Sequence, residues 1–465
     1  MDEPSVIQQE KPTDWSKSYQ QFSDAISSQS LQLQLKALIS FIHFSKRAPE
    51  PITTQTIPII INLLNSAPNP TIQEAVLCSL SSLCRRVETP FTAIIGQLGT
   101  IPILLRLLPD SRCGHRRCLL KCLRDLVAFD NANRLILARN GGLRSIVDAI
   151  VVCNDDTRKY LLEILTALSM LREVRRVIVG YNGLGFLVEA ASDGKMLSRT
   201  RAAQAIGLLG VSRRFRRMLV DLGAVQALVG LLRGSDDSSR IVAGNALGIV
   251  SSNVNCLGMV AQAGAIPLYI ELLKGHDALG KEIAEDVLCI LAVAEENDVL
   301  IMNHLVRILM GSEGQEAKAS AVDVIWNLSG YQYSIPVVRD SGVIPVLIGF
   351  LREGSLDLKE KASAAIAQLS YEEKTRRAMA EEGVIPVLIE LLRDGSADLR
   401  EYAAESLINF AEDSRYREGV SVAFEIPSFL STRERLNRIR DSDRGMTMSM
   451  RMLSIEQLAL DFDSV

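Results

Sequence analysis

Aromatic residues are scarce in this chain. Phe, Trp and Tyr supply 5% of its 465 residues, against 48% for all apolar types, so its core must be aliphatic. Positive charge is not in excess either. The formal net charge is −4, which removes the bulk electrostatic reason to expect nucleic acid or an anionic membrane as partner. No apolar run approaches the roughly 20 residues that a bilayer-spanning helix needs; SGVIPVLIGFL at 341–351 is too short. The opening MDEPSVIQQEKPTDW has no basic segment leading into an apolar one, as a secretory signal would. Asp2 stands where N-myristoylation requires Gly. These absences predict a soluble intracellular protein, cytoplasmic first and nuclear second.

Catalytic signatures are missing as well. There is no GxxxxGK[ST] phosphate loop, no nucleophile elbow and no HExxH. The four histidines, His43, His115, His276 and His304, are scattered, and none stands beside a plausible Ser or Cys nucleophile. The eight cysteines fall mostly within helical patterns, where Cys packs as a small hydrophobe, and without a secretory signal a disulfide framework is not expected. The densest group, CGHRRCLLKC at 113–122, matches no zinc spacing, and Cys118 and Cys122 fall on one i, i+4 stripe. The chain is therefore expected not to be an enzyme, and no metal, cofactor or small-molecule substrate is expected.

What the chain does contain is itself, many times over. GVIPVLIGFLREGSLDLKEKASAAIAQLS at 342–370 returns 41 residues later as GVIPVLIELLRDGSADLREYAAESLINFA. The leading glycine recurs at Gly99, Gly141, Gly223, Gly264, Gly342 and Gly383, with Asn182 in the slot between Gly141 and Gly223. QTIPIIINLL at 55–64 and FEIPSFL at 424–430 extend the series in both directions. A fixed period of this length marks a stacked repeat architecture.

Each unit follows one pattern. A short amphipathic segment ends at Gly, suited to the left-handed position just past a helix. Ile-Pro then opens a second helix, since proline is tolerated in a first turn. After a Gly/Ser/Asp turn, a third segment such as LREYAAESLINFAE carries apolar residues at i, i+3, i+4 and i+7. No segment alternates with period 2, so no sheet is expected.

Three helices per unit, with Gly closing the first and Ile-Pro opening the second, resemble the armadillo repeat. The resemblance covers roughly residues 47–430 and implies an all-α, armadillo-type α-solenoid, a right-handed superhelix of three-helix repeats. The expected organisation is a flexible N-terminus at 1–12, a helical cap at 13–46 and a solenoid of about nine repeats at 47–432. A charged, Met-rich and flexible tail then occupies 433–465, with Ser454 in a basic-directed kinase pattern and 452–462 able to form a short amphipathic helix. One unit is about five residues short. EENDVLIMNHLVRILMGS has no Gly-Ile-Pro junction, and a local change in superhelix curvature is expected around 295–310.

In armadillo arrays the third helices line a concave groove. By that resemblance, two columns of residues face a partner here. One runs Asp125, Ala167, Leu208, Ile249, Ile290, Asn327, Gln368, Asn409; the other runs Lys121, Glu163, Gln204, Asn245, Asp286, Asp323, Ala364, Glu405. An importin-α-type groove needs a Trp column that is absent here, with Trp326 one residue off. A β-catenin-type groove is cationic, whereas these columns hold one Lys and five carboxylates. The surface suits an amphipathic or mildly basic protein segment, in peptide or helix form.

A third column, Arg116, Arg158, Arg199, Arg240, Lys281, Lys318, Lys359 and Arg400, places one cation per repeat. It lies about half a turn from the groove positions, so it is expected to be structural. The first helices carry a candidate basic patch at Arg175, Arg176, Arg213, Arg214, Arg216 and Arg217. The leading expectation is a non-enzymatic protein-interaction scaffold or adaptor. A peripheral membrane or polyanion binder using that patch is the alternative. The chain also resembles the repeat region of plant proteins that carry a U-box, without its Cys-Pro-Ile signature, which adds a substrate-recognition partner of a ubiquitin ligase as a third reading.

Overall fold

The computed structural model describes residues 14–66, 69–86, 89–151, 153, 155–180, 182–234 and 236–442. Among them the regular structure is helical throughout, and no strand occurs. The chain divides into two compact units, one ending at Leu222 and the other beginning at Gly223. Each stacks its repeats third helix against third helix. In the first unit these are Pro70–Cys84, Cys113–Val127, Asp155–Ser169 and Met196–Gly210. In the second they are Asp237–Ser251, Ala278–Leu291, Gln315–Leu328, Leu356–Leu369 and Ala397–Glu412.

The junction between first and second helices is made as its residues dictate. Gly99, Gly141, Gly223, Gly264, Gly342 and Gly383 all have φ between 72° and 90°, the left-handed region that lets one helix stop and another begin at an angle. Asn182 holds the same slot at φ 59°, the conformation Asn tolerates better than most residues. At two slots without such a residue the helix continues unbroken. Glu50–Ser66 is one helix with Pro58 inside it, and Glu295–Met310 is one continuous 16-residue helix. The shortened repeat has therefore lost its break, and its first two helices are fused.

Among the described residues, five of the third helices begin at side-chain caps. Ser396 accepts from the Leu399 amide and Asp277 from the Gly280 amide, satisfying backbone donors that a helix start leaves open. Paired alanines such as Ala202–Ala203 and Ala403–Ala404 are fully buried and allow close helix approach. The core is aliphatic, as the scarcity of aromatics requires. The N-terminal residues form the helices Trp15–Ser27 and Leu31–Phe44. At the other end Pro427–Ser442 is helical and packs on Ala397–Glu412, so the first ten residues of the expected flexible tail continue a helix. The rest of that tail, including Ser454 and 452–462, lies outside the described residues, as does the segment 1–12.

Candidate partner-binding site

In the first unit the third-helix face is tied to itself. Asp125, only 4% exposed, accepts from the Ser81 hydroxyl and from Arg85 at 3.4 Å. Arg124 bridges Asp125 and Glu163, at 3.2 Å to each, and Arg201 reaches Glu163 at 3.6 Å. A chain of ion pairs thus links the third helices of four successive repeats. Two expected groove residues, Asp125 and Glu163, serve as ties between repeats. Ala167 is buried and packs, which leaves Lys121, Gln204 and Leu208 half-buried on this face.

In the second unit the same face opens into two adjoining recesses. The smaller, about 330 Å³, has Val254, Leu257, Cys289, Ile290 and Val293 on its walls and Asp286 at one side. The larger, about 540 Å³, is floored by Ala364 and Ala367 and walled by Trp326, Tyr331 and Tyr402, with Gln368, Glu401 and Glu405. Asn327 and Tyr331 line both, so the two form one continuous feature. Neither lining contains a Lys or an Arg.

The electrostatics of the larger recess follow from its helices. Glu401 and Glu405 are one turn apart on Ala397–Glu412 and flank Tyr402. Burial raises the Tyr402 phenol above its usual range, and Asp398, Glu401, Glu405 and Glu360 push it further. Glu405 accepts from the Tyr371 hydroxyl at 2.5 Å, and Glu401 forms an ion pair with Arg435 of the helix Pro427–Ser442. Asp323, held by Lys361 at 2.5 Å, lies close enough to raise Glu285 together with Asp286, although burial is the larger cause. Carboxylates outnumber cations across this face.

The two sequence columns are thus split by the structure. Asp286, Ile290, Asn327, Gln368 and Glu405 line the recesses. Asn245 is exposed and Ile249 half-buried, on the helix preceding the smaller recess. Asn409 is 1% exposed and donates to the Ser370 hydroxyl at 2.7 Å, so it joins two helices and does not face a partner. Sequence reading missed Tyr331, Glu401 and Tyr402. The available signal was Trp326, one of two tryptophans in the chain, which is 39% exposed.

The basic patch divides similarly. Arg175 donates to the Ser169 carbonyl at 2.7 Å, and Arg216 donates to the Gly210 carbonyl at 2.9 Å. Both close the C-terminal end of the preceding third helix, where carbonyls lack helical donors. Arg134 does the same at Val127 and Ala128, and Arg376 at Ser370 and Tyr371. The arginine at this first-helix position is therefore a helix cap, and Arg175 and Arg216 are engaged within the array. Arg176, Arg213, Arg214 and Arg217 are exposed. In the one-per-repeat column, Arg199 and Arg400 donate to carbonyls of their own repeat's preceding turn, at Ala191 and Asp394. Lys281 pairs with Glu316, and Arg158 lies over the Phe186 ring. Among the described residues no single helix is long and apolar enough to cross a membrane, and no group of three His, Cys, Asp or Glu is gathered as a metal site would need.

The description of a HEAT repeat matches residues 384–414, one repeat of the second unit. A crystal structure described as that of an engineered protein superposes with a TM-score of 0.67 at 19% identity, covering 84% of this chain and 98% of the other. No curated protein matches the sequence. A total of 443 solved chains match in fold, a breadth that carries no single function, because solenoids of one architecture bind unrelated ligands. The chain is an all-α solenoid of helical repeats.

Proposed function

We propose that this chain is an armadillo-type, non-enzymatic scaffold that binds a protein segment across the third helices of its second unit. The armadillo assignment is supported by the three-helix unit with its Gly-Ile-Pro junction, seen for example at Gly342–Pro345 and Gly383–Pro386. The observation that carries the binding reading is the double recess. Trp326, Tyr331 and Ile290 stand at its walls at least partly open to solvent, and an exposed concave surface of mixed aromatic and polar character is the usual form of a recognition site.

The competing reading through the first-helix arginines is weakened by the two guanidiniums engaged as caps. A charge-driven surface would also release its partner steeply between low and physiological salt. The test is cross-linking of the full chain to its partners, wild type against Ile249→Glu/Ile290→Glu. Both residues are half-buried, so the fold is expected to survive, checked by circular dichroism. Loss of the wild-type cross-links supports the site. Retention of every one would remove the second unit's third-helix face as the binding surface.

A further inference from the structure

Resting on that reading, we infer that the larger recess is a receptor for a lysine or arginine side chain of the partner segment, with the smaller one taking an aliphatic side chain beside it. Three features of the larger recess converge on a cation. Three aromatic residues, Trp326, Tyr331 and Tyr402, line it, the side-chain type that holds ammonium and guanidinium groups. Its rim carries Glu401 and Glu405, and no cation lines it. The chain itself supplies an example of the contact, since Arg435 already pairs with Glu401 from outside the recess.

The volume of about 540 Å³ exceeds what one side chain fills, leaving room for backbone and solvent. Asn327 and Gln368, exposed and half-buried respectively, offer amide donors and acceptors at the recess wall where a peptide backbone would pass. The neighbouring recess is different in kind. Val254, Leu257, Ile290 and Val293 give it an apolar lining, which rejects a charge and accepts Leu, Ile or Met. The occupant is therefore a basic segment that also carries an aliphatic anchor. An acidic partner meets repulsion from Asp286, Glu401 and Glu405.

The test is selection of random 12-residue displayed peptides on the full chain. Cationic residues paired with an aliphatic anchor are expected to be enriched. Synthetic versions of the selected peptides, measured by fluorescence anisotropy, should lose at least tenfold in affinity on Glu401→Gln/Glu405→Gln and on Trp326→Ala, both with unchanged circular dichroism. Selected peptides without cationic bias, or a bias that survives both variants, overturn the inference while leaving the scaffold reading intact if Ile290→Asp still abolishes binding. A third arm uses the full chain with Arg444→Glu/Arg451→Glu. Enrichment only in that variant would mean that the chain's own C-terminal segment is the occupant, and the partner assignment falls. No enrichment in either chain would sink both this inference and the binding role of the face.

Discussion

Arg376 donates to the carbonyl oxygen of Ser370 at 2.6 Å, six residues back, and so closes the end of the helix Leu356–Leu369. Arg175 to Ser169 and Arg216 to Gly210 span the same six residues. A hydrogen bond from a charged donor to otherwise open carbonyls contributes about 1.5–3 kcal/mol. Because Arg376 is partly solvated, Arg376→Met should cost about 1–2 kcal/mol in urea unfolding. Arg377→Met, at the exposed neighbour, should stay within about 0.5 kcal/mol. Equal effects at the two positions would mean that the capping contact contributes nothing.

Gly96 is required by its neighbour. A Cβ there would lie 1.7 Å from Oδ1 of Asn133, whose amide donates to the Thr92 and Leu126 carbonyls at 3.0 Å each. Gly96→Ala must displace that side chain and is expected to cost about 1–3 kcal/mol. Gly349, in the helix Val343–Glu353, has no atom within 4 Å of such a Cβ. Gly349→Ala should therefore stabilise by up to about 1 kcal/mol. Thermal melts of the pair measure both signs.

Asp298 is fully buried in the fused helix of the shortened repeat. Burial pushes its carboxyl up to about 6, opposed by the Ser334 hydroxyl and reinforced by Glu295. A raised carboxyl pKa means that the folded chain binds this proton more tightly than the unfolded chain. Its contribution is most favourable below about pH 4, declines as pH rises to about 6, and stays low above. Asp298→Asn should thus be more stable than wild type at pH 7.5, by no more than about 3 kcal/mol, with the difference shrinking toward pH 4. A pH-independent difference would contradict this account.

Among the described cysteines, Cys78 should be the most reactive thiol. Its hydrogen bond with Cys118, aided by Lys121 and Arg85, brings it down to about 6, and it is exposed. Burial pushes Cys84 and Cys289 up to about 12. Since thiolate is the nucleophile, iodoacetamide at pH 7 should modify Cys78 at least tenfold faster than Cys84 or Cys289, read by peptide mass spectrometry. Cys118→Ala should move the pH midpoint of Cys78 alkylation upward. An unchanged midpoint would count against the thiol pair.

The period, the helices and their junctions were legible in residue order because each is a local matter. Left-handed φ at Gly383 or Asn182, a capping hydroxyl at Ser396 and an i, i+3, i+4 stripe depend on a few neighbours along the chain. Even the fused helix Glu295–Met310 follows from a missing glycine. Which residues of the third-helix face remain open did not follow from repeat position. Asp125 and Asn409 stand in the same column as Ile290 and Gln368, and Glu163 in that of Asp286 and Glu405, yet the three are engaged by Arg85, Ser370 and Arg124 from other repeats, each about 40 residues away. Only packing of one repeat on the next decides whether a polar side chain finds a partner inside the array. The same packing places Tyr331, from a turn, beside Glu401 and Tyr402, from a helix 70 residues on, and so makes the recess.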